Sequence, residues 1–588
     1  IYMSKKSISN GVTLKVENRS GFDKSFFNAL TTGVGTITPL VKQLVLPNSS
    51  GKCRVKISAQ LPPLATDAFL RCHLKLESFY VPLRICYGGF ESWFCGREIY
   101  DGPQDQFLRA QLPRFSILNP QNDSGQILGN QSVFNRLFAS GSLADYFGVY
   151  LNGVESSGTY TFSTLVSNVN RGFNASGGGR SVCACFNAFP WIAYQLIYDE
   201  YYRNKIVERP LFSPPSSRSA QGGGLEATQL HAYNLPYIAC GDVIDIVGGL
   251  ASGAVSESRI ATQTEVDWMS DKLLNGSLSQ IRQRNYGDDY FTAATPTAQE
   301  GNPVEVTVTN GKFTISALRL SNALQEFAEN QQYASPDYIQ TLSARYGASL
   351  KAGIAQKPIL LGSADFPMYT SGVEQTAEGT GQSTNNPFDT VGARFGRGHA
   401  EGTEFVCDFN ADEPGYFMVL ATLAPEAQYF QGNARDMMMF NASGSLVDLP
   451  CGLLENIGND PISTLELTNN YAAQVYGYVQ RYLWHKLGNR NQVHGLMRGD
   501  ESLGSFVVQR KFNARPSISS SFLKIATTDL DNVAAVSAGV SKFGVMIDSA
   551  IDLFVSEPLS ESAIPSLADP ATEHGRSVYV KTGGTKLA

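Results

Sequence analysis

The sequence is short of charge: Asp, Glu, Lys and Arg supply only 17% of its 588 residues, against roughly 25% in ordinary soluble domains. A chain so sparsely charged, and carrying 33 Phe and 26 Tyr, points to a surface that partners largely cover. The net charge of -7 excludes a whole-chain polyanion binder, which needs an excess of Lys and Arg. No apolar run reaches the roughly 18 residues that a membrane-spanning helix needs. Lys5 and Lys6 are not followed by an apolar stretch, so a secretory signal is not expected. The nine cysteines (Cys53, Cys72, Cys86, Cys95, Cys183, Cys185, Cys240, Cys407 and Cys451) are scattered and contain no C-x-x-C pair. That spacing argues against a zinc ribbon or a disulfide framework. The expectation is reduced, mostly buried thiols in a protein made in a cytosol.

Signatures of catalysis are missing too. Gly51-Lys52 and Gly311-Lys312 lack the preceding glycine and the following Ser or Thr of a phosphate loop. The glycines of residues 392–402 do not fit G-x-G-x-x-G and read as a loop. None of the six histidines (His73, His231, His399, His485, His494 and His574) stands at a metal-binding spacing. His73 falls in a strand as a surface or packing residue, and His485 and His494 flank a basic loop as hydrogen-bonding groups. Cys183 and Cys185 share one side of a strand, but two ligands do not make a zinc site. Asp288-Asp289 are adjacent acids, which an extended chain points to opposite faces. They read, like Asp145-Tyr146, as turn entries beside anchoring aromatics. No catalytic residue, metal ligand or cofactor site is assigned.

What is present is strand pattern at both ends of the chain. In residues 52–61, Lys52, Arg54, Lys56, Ser58 and Gln60 alternate with Cys53, Val55, Ile57, Ala59 and Leu61, the period of a half-buried strand. Residues 71–82 alternate similarly until Phe79-Tyr80-Val81 breaks the phase, as a bulge or two-sided burial does. A turn-rich connector, Pro62-Pro63-Leu64-Ala65-Thr66-Asp67, separates the two. Residues 403–409, 416–423, 473–482 and 547–555 are the later strand candidates. Strands at both ends with long irregular stretches between them fit a Greek-key or jelly-roll barrel with large insertions better than a string of domains.

The insertions hold helices. One opens at Pro190-Trp191 with Trp191, Tyr194, Tyr198 and Tyr201 on one stripe; a second covers residues 314–330; a third has Ser335 as N-cap and stops at Gly347. Residues 175–181, 214–224 and 372–386 are rich in Gly and Ser and read as exposed loops.

Basic residues gather in three places. Lys5, Lys6, Lys15, Arg19 and Lys24 outweigh Glu17 and Asp23 near the N-terminus; Arg576, Lys581 and Lys586 lie in the C-terminal tail; Arg481, Lys486, Arg490 and Arg498 are interleaved with Tyr482 and Trp484. Basic groups beside aromatics are the recipe for binding single-stranded nucleic acid without sequence preference. The competing reading is solvated tails and ordinary surface charge.

Several segments, in order, resemble the major capsid protein of the Microviridae, on the gokushovirus side of that family. They are Arg19-Ser20-Gly21-Phe22-Asp23-Lys24-Ser25 (Lys24 replacing the usual Leu), Val45-Leu46-Pro47 and Phe79-Tyr80-Val81-Pro82-Leu83-Arg84. They continue with Gly141-Ser142-Leu143-Ala144-Asp145-Tyr146-Phe147-Gly148, with Phe189-Pro190-Trp191 and with Ala193-Tyr194-Gln195-Leu196-Ile197-Tyr198-Asp199-Glu200-Tyr201-Tyr202-Arg203. Asp289-Tyr290-Phe291-Thr292, and Ile551-Asp552-Leu553 with Pro558, complete the series.

The resemblance implies a mainly β fold, a single eight-stranded antiparallel jelly roll with very long, partly helical inter-strand insertions. It divides the chain into an arm (1–35), first barrel strands (36–95), a long insertion (96–400), further strands (401–430), a second insertion (431–540), a last strand (541–560) and a tail (561–588). It implies self-assembly into a T=1 icosahedral shell around circular single-stranded DNA in a bacterial host, with other virion proteins and the host surface as further partners. No cofactor is implied. Lys5, Lys6, Arg481, Lys486, Arg490, Arg498, Arg576, Lys581 and Lys586 are the candidate DNA-facing residues.

One departure from the family stands out. The surface insertion expected after Asp289-Tyr290-Phe291-Thr292 is short here, and the chain is enlarged between Arg203 and Arg284 instead. Residues 210–285 are therefore expected to form the outer decoration that touches the host. Two other readings compete. A carbohydrate-binding or carbohydrate-processing β-sandwich needs carboxylates and aromatics converging in one cleft. A spike-like virion part differs from a shell protein in particle symmetry.

Overall fold

The computed structural model describes residues 19–86, 140–149, 187–208, 280–298, 357–374, 394–438, 459–487, 492–535 and 544–559, with short strands and single positions between them. Ten strands build two packed antiparallel sheets. From the N-terminus they are β1 (Ser20–Asp23), β2 (Phe26–Thr32), β3 (Thr38–Val45), β4 (Ser49–Gln60) and β5 (Cys72–Pro82). After the long insertion come β6 (Ile359–Pro367), β7 (Tyr369–Glu374), β8 (Arg394–Ala411) and β9 (Gly415–Pro425). A hairpin of β10 (Asn459–Ser463) and β11 (Val475–Gln480) stands apart, and β12 (Val545–Glu557) returns to the sandwich.

The first sheet runs β1-β12-β4-β8-β7, with β2 sharing the β1 edge of β12; the second runs β6-β5-β9-β3. The two ends of the chain thus meet in one sheet: Ser20 pairs with Glu557 and Thr32 with Val545. The period of two decides what each face does. Cys53, Val55 and Ile57 of β4 and Ile547, Ile551 and Leu553 of β12 point inward onto Leu74, Leu76, Phe417 and Val419 of the second sheet, forming one core. Lys52, Arg54 and Lys56, and Asp548, Asp552 and Phe554, point outward.

The second sheet is buried on both faces. Phe79, Val81, Tyr416, Met418 and Leu420 turn away from the sandwich into a second core beneath the helix Phe189–Ile197. Nearly every residue of β9 is therefore buried, and no alternation is visible in its sequence. The lost phase at Phe79-Tyr80-Val81 has the same cause. Tyr80 lies in the first core while its neighbours face the helix.

That helix carries Pro190 in its first turn and buries Trp191, Ile192, Tyr194 and Ile197, each worth roughly 1.5–3 kcal/mol relative to exposure. It does not continue as a regular α-helix. Tyr198–Tyr202 is a π-helical turn, and its extra residue rotates the stripe. Tyr202 replaces Tyr201 as the buried member; Tyr201 stays 38% exposed. Of the helix expected over 314–330, Arg319, Ser321 and Ala323 are helical, and the helix of 335–347 lies outside the described residues.

Two further differences concern strands. Residues 394–402, read as a loop from their glycines, belong to β8. Strands β6 and β7 fall in the stretch taken as insertion and carry Gly362, Pro367 and Gly372, which mask any strand pattern. The free cysteines Cys53, Cys72, Cys86 and Cys407 are all buried. No helix among the described residues is long and apolar enough to cross a membrane.

Candidate functional site

The insertion is fastened to the sandwich by polar groups as well as by apolar packing. The buried Tyr194 hydroxyl donates to the Ile37 carbonyl (2.8 Å) and accepts from the Arg282 amide (2.9 Å), tying helix, β3 entrance and insertion exit together. Two residues later, Arg284 holds Glu77 of β5 through two hydrogen bonds of 2.6 and 2.9 Å. Tyr202 donates to the same carboxylate, and the Arg284 guanidinium lies 5.3 Å from the Tyr202 ring centre. Tyr198 donates to Glu208 at 2.8 Å. Such charge-assisted bonds are among the stronger polar contacts in a fold, and costly to leave half-made.

A second fastening lies around Arg510. Its guanidinium sits 4.3 Å from the Phe522 ring centre and 4.5 Å from that of Tyr286, with Phe512 and Tyr429 at 5.4 and 5.9 Å. It also donates to the Phe522 carbonyl at 2.6 Å. Tyr286 donates to Asp529, whose carboxyl is pushed above the usual range by burial. Tyr429 donates to Asp289 at 2.7 Å, and the other Asp289 oxygen caps the turn by accepting from the Phe291 and Thr292 amides. Asp288 is exposed, so the adjacent acids part as the extended-chain geometry requires. Asp145 likewise serves a turn, accepting from the Gly141 amide.

Of the sequence-nominated basic residues, three are described. Arg481 is half-buried with its guanidinium 5.3 Å from the Tyr482 ring centre, while Lys486 and Arg498 are exposed. Tyr482 holds a left-handed backbone (φ 62°), fixed by its amide donating to buried Asp460 at 2.8 Å. This turn starts the short helix Leu483–Lys486 that carries Trp484, His485 and Lys486. Lys5, Lys6, Arg490, Arg576, Lys581 and Lys586 lie outside the described residues. His73 of β5 is half-exposed and bonds Asp365 at 3.0 Å; His485 and His494 are exposed.

No group of three His, Cys, Asp or Glu side chains that could hold a metal occurs among the described residues. A polar cleft beside β5 is lined by Arg203, Arg284 and His73, but each of these already has a carboxylate partner, in Asp199, Glu77 and Asp365. The class these features define is a β-sandwich protein with large insertions fastened to its outer sheet face.

Comparison with known proteins sharpens that class. The family model described as capsid protein (F protein) matches residues 309–566. The chain is 21% identical to capsid protein VP1 of Chlamydia phage 1, over 88% of this chain and 91% of that protein. It is 20% identical to capsid protein VP1 of Bdellovibrio phage phiMH2K, over 87% and 88% of the two chains. Along most of its length the chain is thus similar to bacteriophage capsid proteins, and its role is that of a major capsid protein, a component of the virion.

Proposed function

We propose that an eight-stranded jelly roll forms the centre of this ten-stranded sandwich, and that the chain assembles as a T=1 icosahedral shell around single-stranded DNA, in a structural and non-enzymatic role. The observation that carries the reading is the pairing of β1 and β2 with β12. It draws both chain ends into one sandwich and leaves the long insertions to supply contacts between copies. Closed symmetric assembly needs such area, and the stability of each subunit then depends on its neighbours. Assembly takes place in the bacterial cytoplasm, a setting that suits the buried free thiols.

Within that shell, Lys5, Lys6, Arg481, Lys486, Arg490, Arg498, Arg576, Lys581 and Lys586 face the DNA and offset part of its phosphate charge. Residues 210–285 form the outer decoration that meets the host surface. Other virion proteins complete the particle. The test is expression of the full chain, followed by electron microscopy and nuclease treatment. Uniform particles protecting single-stranded DNA are expected; a chain that stays monomeric under all conditions overturns the reading.

A further inference from the structure

The outward face of the first sheet is a second place where cations and aromatic rings meet. Three successive cross-strand rows each combine one cation with one exposed phenyl ring. In the first, Lys52 stands opposite Phe554; in the second, Arg54 stands opposite Phe405 on its other side. In the third, Lys56 stands opposite Ala550, which in turn faces Phe27. The rings are 56%, 49% and 86% exposed. Among the described residues none of the three cations has a side-chain hydrogen bond or ion pair, although Asp23, Asp408 and Asp552 share the first two rows.

We propose that this face is a platform for single-stranded DNA, with phosphates along Lys52, Arg54 and Lys56 and bases stacked on Phe27, Phe405 and Phe554. It rests on the reading that the shell encloses such DNA. Alternate residues of a strand repeat every ~6.6–6.8 Å, so the cations form an evenly spaced line with rings on both sides. Every base has a stacking face, so rings beside a charged track bind without regard to sequence. Asp23, Asp408 and Asp552 balance the three cations within these rows, so the pull on phosphate is local to the Lys52-Arg54-Lys56 line and not a net positive field. The three acids hold the affinity down, which suits DNA that must be released.

The test uses the purified full chain and a fluorescein-labelled oligothymidylate, with anisotropy read over a range of salt. The variant K52S/R54S/K56S is expected to bind at least about ten-fold more weakly, with the slope of log K against log salt smaller by about 2, since each single-strand phosphate contact contributes ~0.7. The variant F27S/F405S/F554S is expected to lose at least about five-fold at unchanged slope. D408N/D552N removes only the opposing charge and is expected to bind more tightly. Wild-type affinity and slope in all three variants overturn the platform. So does a basic-row variant that binds the oligonucleotide normally but no longer forms particles, because the face is then a contact between copies. Failure of the unaltered chain to form particles overturns the capsid reading instead.

Discussion

Arg284 grips Glu77 with both terminal nitrogens, and in doing so joins the long insertion to the second sheet. The pair is about one-fifth exposed on each side, and Tyr202 supplies a third hydrogen bond to the same carboxylate. Glu77→Gln keeps the shape but removes the charge that faces Arg284. A loss of roughly 1.5–3 kcal/mol is expected, read as a shift in the urea midpoint. Tyr202→Phe is expected to be non-additive with it in a double-mutant cycle, because both act on one network.

Arg510 is a cation enclosed by rings, and its removal leaves Asp529 buried without its neighbouring positive charge. Arg510→Ala is expected to destabilise by about 1–3 kcal/mol, as the buried Phe522 carbonyl loses its donor, and Arg510→Lys by less, since the ammonium keeps the charge but not the planar stacking. Thermal unfolding of the soluble chain checks the order of the two.

Gly362 sits where the edge strand β6 meets β8, at a bulge in the β6-β5 ladder. A Cβ there would overlap the Val406 carbonyl oxygen, close to the bulge between Phe405 and Cys407. Two irregularities thus abut and let the sheets approach. Gly362→Ala is expected to cost about 1–3 kcal/mol by overpacking, with a lowered unfolding midpoint as the readout.

Buried thiols make the fold sensitive to alkali. Burial pushes Cys407 up to about 11, and Cys53 and Cys72 up to about 12, from an ordinary 9.0. A raised folded-state value means that the unfolded chain ionises first. The contribution is whole below about pH 9 and is lost as the pH climbs towards 12. The urea midpoint is expected to fall between about pH 9 and about pH 11. A C53A/C72A/C407A variant is expected to show a shallower fall over the same range.

Periodicity alone was enough to find β4, the first half of β5 and β12, because each has one wet face and one dry face. Proline at the helix start and the aromatic stripe likewise located the helix Phe189–Ile197. Where the helix widens, local pattern stopped being a guide. The choice of Tyr202 over Tyr201 depends on the π-turn and on Glu77 being there to accept its hydroxyl.

Composition and spacing by themselves determined that this is a β-rich chain with sparse charge, unclustered cysteines and strands concentrated towards its ends. Only the tertiary structure decided that β9 is dry on both faces, that glycine-rich 394–402 is a strand, and that Lys52, Arg54 and Lys56 lie beside Phe27, Phe405 and Phe554. The reason is physical. A strand's own sequence sets the period of its side chains, whereas its neighbours across a sheet are brought from hundreds of residues away, and they decide what each face touches.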